Sequence, residues 1–137
     1  MSTIAGNGYL GYDANEKIAQ YSQFVNPYSS LVDWDENGNE RRVFVADTYN
    51  NCVRVINCTV NPPTIETLTG KCGDSNYIDS NLKDSRFRWP LYLRFLKGSD
   101  SRIYIEDYYA TYGYTYRMID IEKGLLFFQK IQIKNKF

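Results

Sequence analysis

A series of landmarks that runs twice along the chain limits its fold more than any other feature of the 137 residues. Thr3-Ile4-Ala5-Gly6 is answered by Thr67-Leu68-Thr69-Gly70 at an offset of 64, and Phe24 and Pro27 by Phe87 and Pro90 at 63. Val43, Val45 and Asp47 are answered by Ile103, Ile105 and Asp107 at 60, and Arg54-Val55-Ile56-Asn57 by Arg117-Met118-Ile119-Asp120 at 63. The order never changes, and the offsets drift only across polar connections, as where three extra residues separate Asp107 from Arg117. Duplicated units with variable loops behave this way, whereas chance similarity does not keep a sequence of landmarks. The chain therefore divides into a first unit, residues 1–66, and a more divergent second unit, residues 67–137.

Each unit reads as four short strands. In the first, Tyr28 to Trp34 follows a proline and runs into the polar turn Asp35-Glu36-Asn37-Gly38-Asn39. Arg42 to Asp47 is β-branched and apolar, Cys52 to Asn57 alternates, and Thr64 to Thr69 follows Pro62-Pro63. The second gives Leu91 to Leu96, Arg102 to Asp107, Thr115 to Asp120 and Leu125 to about Ile133, with Lys97-Gly98-Ser99-Asp100 and Glu122-Lys123-Gly124 as turns. Val43 and Val45 point to one face of their strand and Phe44 and Ala46 to the other, and Ile103-Tyr104-Ile105 repeats the arrangement. Both faces of each sheet need cover. The expected fold is all-β, two four-stranded antiparallel propeller blades, since a sandwich would leave its outer faces polar.

Composition narrows function. Sixteen Lys and Arg balance sixteen Asp and Glu, so neither a phosphate backbone nor an anionic bilayer attracts the chain as a whole. No stretch reaches the roughly 18 to 20 apolar residues that cross a bilayer, and no membrane partner is expected. Histidine is absent, which removes the commonest general base and a frequent metal ligand together. Much of the apolar content is aromatic, with 13 Tyr, 7 Phe and 2 Trp, which favours strands.

The run Val43-Phe44-Val45-Ala46-Asp47-Thr48-Tyr49-Asn50-Asn51-Cys52-Val53-Arg54-Val55-Ile56 resembles the core of an NHL repeat. Thr3-Ile4-Ala5-Gly6, the glycine-rich stretch to Gly11 and Phe24-x-x-Pro27 look like its upstream half. The second unit fits at Thr67 to Gly70, Phe87-x-x-Pro90 and Ile103 to Asp107, but Tyr109-Ala110-Thr111-Tyr112-Gly113-Tyr114 replaces the Asn-Asn turn and reads as a divergent loop. The resemblance implies a propeller that has six blades in most relatives, and two blades are too few to bury their own faces. Residues 2–5 take the place of a preceding blade's last strand, and Leu125 to Ile131 is too apolar for an open edge. Two arrangements supply the missing contacts: the chain is part of a larger propeller, or three chains close a six-bladed ring.

Three cysteines allow at most one internal disulfide. With strands three and four of the first unit paired across the loop from Cys58 to Pro63, Cys52 faces Cys72 or its neighbours, and this pairing also matches the cysteine placement of extracellular NHL proteins. Three reduced thiols remain the alternative, which favours a cytosolic setting. Asn57-Cys58-Thr59 fits the glycosylation triplet at the start of an exposed loop, in agreement with secretion. Asp33, Asp35 and Asn37, followed by Gly38, open like a calcium loop, but Arg41 and Phe44 stand at its ninth and twelfth positions, and the same residues suit an ordinary turn. Asp47 and Arg54, with Asp107 and Arg117, recur at matching places and read as structural positions of the repeat. Tyr108, Tyr109, Tyr112 and Tyr114, with Tyr116, form a cluster of the kind found in protein-binding loops.

These features predict a non-enzymatic module that presents loops on a rigid frame to a protein or peptide partner, with no cofactor and an extracellular setting favoured. Two alternatives come from propellers of similar shape. One is a metal-dependent lactonase or lyase, which here would need Asp or Asn ligands. The other is RNA binding, for which Arg86, Arg88, Arg94 and Lys97 with Phe87, Trp89 and Tyr92 form the one basic aromatic segment.

Overall fold

The computed structural model describes residues 3–128. Eight strands form two antiparallel sheets, each a meander in chain order. The first sheet holds β1 (Ser29–Trp34), β2 (Glu40–Asp47), β3 (Cys52–Asn57) and β4 (Thr64–Gly70). The second holds β5 (Trp89–Phe95), β6 (Arg102–Tyr109), β7 (Gly113–Asp120) and β8 (Leu125–Phe128). The fold is all-β with two four-stranded sheets. The remainder of the last strand expected to about Ile133 lies outside the described residues.

β4 runs across the boundary drawn between the two units at residues 66 and 67, so the sequence repeat and the sheet are out of phase by part of a strand. Two expectations need correction. Thr3 to Ala5 run as irregular chain rather than as a strand, and Gly6 N–H after them donates to Ala19 O at 2.9 Å instead of to a strand. The divergent loop in the second unit is mostly hairpin: β6 continues to Tyr109 and β7 resumes at Gly113, with Tyr108 opposite Tyr114 and Tyr109 opposite Gly113. The three extra residues lengthen the ladder and leave only a short turn, closed by Tyr112 N–H to Tyr109 O at 2.9 Å and by Gly113 at φ +73°.

Strand alternation decides how the sheets meet. Phe44, Ala46, Val53 and Val55 leave one face of the first sheet and share a core with Phe87, Leu93, Ile103, Ile105 and Ile119 of the second unit. Val43, Val45, Ile56 and Ile65 leave the opposite face and pack with Ala19, Ala5 and Phe24. Since Ile103, Ile105 and Ile119 answer Val43, Val45 and Ile56 in the repeat, the sheets stack head to tail, unlike faces in contact. Polar links close the seam: Ser29 Oγ donates to Leu91 O at 2.6 Å, Thr48 Oγ1 to Pro90 O at 2.7 Å and Asn51 Nδ2 to Arg88 O at 2.5 Å.

The segment before each first strand is folded the same way twice. Gly11 N–H donates to Phe24 O and Asn76 N–H to Phe87 O; Ala19 N–H reaches Pro63 O and Leu82 N–H reaches Gly124 O. Each segment thereby lies across the equivalent face of its own sheet and carries a phenylalanine, Phe24 or Phe87, against it.

Candidate functional site

Cys52 begins β3 opposite Gly70 at the end of β4, and one residue pair further Cys72 closes a disulfide with it, Cα to Cα 5.0 Å. Gly70 is required here: it has φ +83°, and a Cβ would stand 3.0 Å from Asn51 O and 3.1 Å from the Phe87 ring. Cys58 is a free, half-buried thiol whose pKa is raised by burial and then by the charge of Glu40, the reverse of what activates a nucleophile.

The repeated Asp and Arg residues form two buried centres, one per sheet. Asp47 Oδ1 accepts from Val25 N–H at 2.9 Å, and its Oδ2 accepts from Asn50 Nδ2 at 2.8 Å and Arg54 Nη1 at 3.4 Å. Asp107 Oδ1 accepts from Trp89 N–H at 2.9 Å and Arg88 N–H at 3.2 Å, and its Oδ2 accepts from Arg117 Nη1 at 3.2 Å. Both carboxylates thus pin the entry to the first strand of their sheet. Each arginine lies between two rings: Arg54 is 5.0 Å from Tyr12 and 5.7 Å from Phe24, Arg117 4.4 Å from Tyr77 and 4.2 Å from Phe87. Burial raises the Asp47 pKa, and it pushes Asp107 to about 6 despite the opposing pull of Arg117. Asp47 and Asp107 are themselves fully buried, so neither carboxylate is placed to meet a substrate.

The second sheet's outer face is aromatic. Trp89, Tyr108 and Tyr114 stand opposite one another across β5, β6 and β7, with Trp89 stacked on Tyr108 at 5.6 Å and Tyr108 against Tyr114 at 4.9 Å. Tyr49 continues this row from the first sheet, 6.0 Å from Trp89. On the other side of this hairpin, the side of Asp107 and Arg117, Tyr109 stacks on Tyr112 at 5.2 Å, Tyr77 contacts both, and the Arg88 guanidinium lies 5.4 Å over Tyr109. Trp89 is 38% exposed and Tyr112 and Tyr114 are each 49% exposed. Further along the face of the row Tyr92, Arg94, Tyr104 and Tyr116 surround a hollow of about 310 Å³ floored by Glu106, whose Oε1 accepts from Tyr116 Oη at 3.1 Å.

The other sequence candidates are placed as follows. Asp33 is buried and accepts from both Arg41 and Arg42, at 2.9 and 2.7 Å, while Asp35 Oδ1 accepts from the backbone N–H of Asn37 and Asn39. Asp33, Asp35 and Asn37 are therefore not gathered around a common point, and among the described residues no group of three or more His, Cys, Asp or Glu could hold a metal ion. Asn57 is exposed at the end of β3, its Oδ1 accepting from Thr59 N–H and Oγ1. The basic aromatic segment does not share one surface: Phe87 is core, Arg86 pairs with Asp74 at 2.9 Å, and Arg88 covers Tyr109. Among the described residues no helix is long and apolar enough to cross a membrane.

Sequence reasoning missed Tyr12, Tyr77 and Asp79, which complete the arginine centres. Tyr12-x-Ala14 and Tyr77-x-Asp79 fall between the landmarks, where two extra residues in the first unit hide the correspondence. No known family model matches the chain, and no curated protein matches it.

Proposed function

We propose that the chain is a two-blade stretch of an NHL-type β-propeller and acts as a non-enzymatic module that binds a protein or peptide through the aromatic outer face of its second sheet. The head-to-tail stacking of two repeated sheets supports the blade reading. A cleft of about 400 Å³ on the first sheet's outer face, lined by Val43, Val45 and Ile56, supports a larger propeller, because Phe44 and Val55 fill the matching surface on the second sheet. The aromatic face carries the binding reading. Where the first sheet puts Leu31, Phe44, Ala46 and Val55 at its seam, the second puts Arg94, Tyr104, Glu106 and Met118, a surface for a polar partner rather than another apolar sheet. Tyr, Trp and Arg dominate the energetics of protein interfaces, and rigid rings lose little rotamer entropy on contact. The disulfide supports an oxidising, extracellular setting, in which Asn57 would carry a glycan.

A displayed peptide library selected on the intact protein tests the binding surface. Selected peptides should protect residues 104–116 from hydrogen exchange, and the double variant Tyr112→Ala/Tyr114→Ala should weaken them at least about tenfold, with an unchanged melting temperature. Protection elsewhere, or affinity indifferent to both tyrosines, would overturn the assignment.

A further inference from the structure

The two arginine centres are built alike and satisfied unequally. Arg117 commits all five guanidinium N–H groups: Nε and Nη2 to Asp79 Oδ1 at 2.9 and 2.6 Å, Nη2 also to Ile78 O at 2.6 Å, and Nη1 to Arg86 O at 2.6 Å and Asp107 Oδ2 at 3.2 Å. Arg54 is 2% exposed, yet its Nη1 makes only two long bonds, to Asp47 Oδ2 at 3.4 Å and Gln23 O at 3.5 Å, and its buried Nε has no acceptor. A buried cation left this way is costly, and buried donors are nearly always paired.

What Arg54 lacks is a counterpart of Asp79. Asp79 stands two residues after Tyr77, the ring over Arg117, and Ala14 stands two residues after Tyr12, the ring over Arg54. Counting back from Phe24 and Phe87 instead aligns Asp79 with Glu16. Glu16 is engaged elsewhere, its Oε1 accepting from Ile18 N–H at 2.7 Å, and Asp13 Oδ1 accepts from Asn15 N–H at 2.9 Å. Neither pairs with Arg54. In place of a carboxylate there is a cavity of about 280 Å³, lined by Arg54, Tyr12, Ala14 and Thr67.

We infer that this cavity is a binding site for a single carboxylate, which takes beside Arg54 the place Asp79 holds beside Arg117. The inference does not depend on the propeller reading. The guanidinium edge suits a carboxylate, and since Arg54 is 2% exposed with its Nε buried, the side chains lining the cavity have to give way for the carboxylate to reach Nε. Asp13, Glu16 and Glu66 also line the cavity, against Lys17 and Arg54, so the lining carries one net negative charge, which weighs more on a dianion such as sulfate than on a carboxylate held directly by Arg54. A carboxylate with an ammonium close by, as in an amino acid, meets both signs of charge. The carboxylate comes from a small free acid or from the C-terminus of a peptide, and the two sources are separable.

The test is the melting temperature in sodium formate against sodium chloride at equal ionic strength, for the wild type, Ala14→Asp and Asp79→Ala. The wild type should melt about 3 °C higher in saturating formate, with no matching gain from phosphate. Ala14→Asp should melt higher than the wild type in chloride and lose the formate gain, since the carboxylate is now built in. Asp79→Ala should melt lower in chloride and show a larger formate gain than the wild type, because a second site has been opened. Glycyl-glycine tested against its C-terminal amide supplies the peptide arm: a gain from the free acid without one from formate assigns the site to peptide termini. An equal formate gain in all three proteins would expose a general salt effect, and the absence of any gain from formate or dipeptide would show that water suffices. Either result overturns the proposal. If Ala14→Asp fails to fold, the comparison of wild type with Asp79→Ala still decides it.

Discussion

Asp107 and Arg117 are both fully buried, and their cost and benefit are set by what surrounds them. Removing the arginine takes the cation from two carboxylates, Asp107, which keeps its bonds from Arg88 and Trp89 N–H, and Asp79, whereas removing Arg54 takes it only from Asp47, which keeps its bonds from Val25 N–H and Asn50. Arg117→Met should therefore cost about 3 kcal/mol or more in urea unfolding, and Arg54→Met should cost clearly less. The same burial has a pH signature. A folded pKa raised from 3.8 to about 6 means the native state holds its proton more tightly than the unfolded chain does. Asp107 thus contributes fully below about pH 4, and that contribution fades as pH rises through about 6. Asp47 and Asp79 are shifted in the same direction, again by burial first. Asp107→Asn should flatten the dependence of unfolding free energy on pH between 4 and 6; an unchanged slope would place the shift elsewhere.

At the scale of strands and hairpins, the disulfide ties the end of β4 to the start of β3 across 20 residues. Loop-closure entropy for that span gives about 3 kcal/mol, so Cys52→Ser/Cys72→Ser should lower stability by roughly that amount at equilibrium. Gly70→Ala should be destabilising without touching the sulfurs, because backbone Asn51 O and the Phe87 ring leave no room at a positive φ. The cysteine pair was legible as one of two readings, because pairing the last two strands of the first unit across the loop from Cys58 to Pro63 brings Cys52 near Cys72. The strands were legible because each is a short β-branched or alternating run between turn residues, and among the described residues only their limits moved. The tyrosine hairpin was misread because a run of Tyr, Ala, Thr and Gly carries no apolar alternation, so its extra residues looked like loop when they extend β6 and β7. Tyr12 and Asp79 were illegible for a different reason: their partners are arginines some forty residues away, and nothing local marks a ring that stacks on a distant guanidinium.

For the molecule as a whole, one core spans both sheets, so they should unfold together. Phe44 reaches across the seam to Phe95 at 5.9 Å and packs among Ile103 and Ile105. Phe44→Ala should cost about 3 to 4 kcal/mol and speed hydrogen exchange in β6 as much as in β2, with a single unfolding transition retained. Independent melting of the sheets would contradict a shared core. The stacking also leaves two unlike ends: one presents Val43 and Val45 in an open cleft, the other an exposed Arg94 among tyrosines. Parts that stack front to back can in principle lengthen without limit into filaments. Here each added chain would have to press a guanidinium into valine side chains and strip its water, so the polarity that joins one sheet to the next within the chain discourages the same joint between chains.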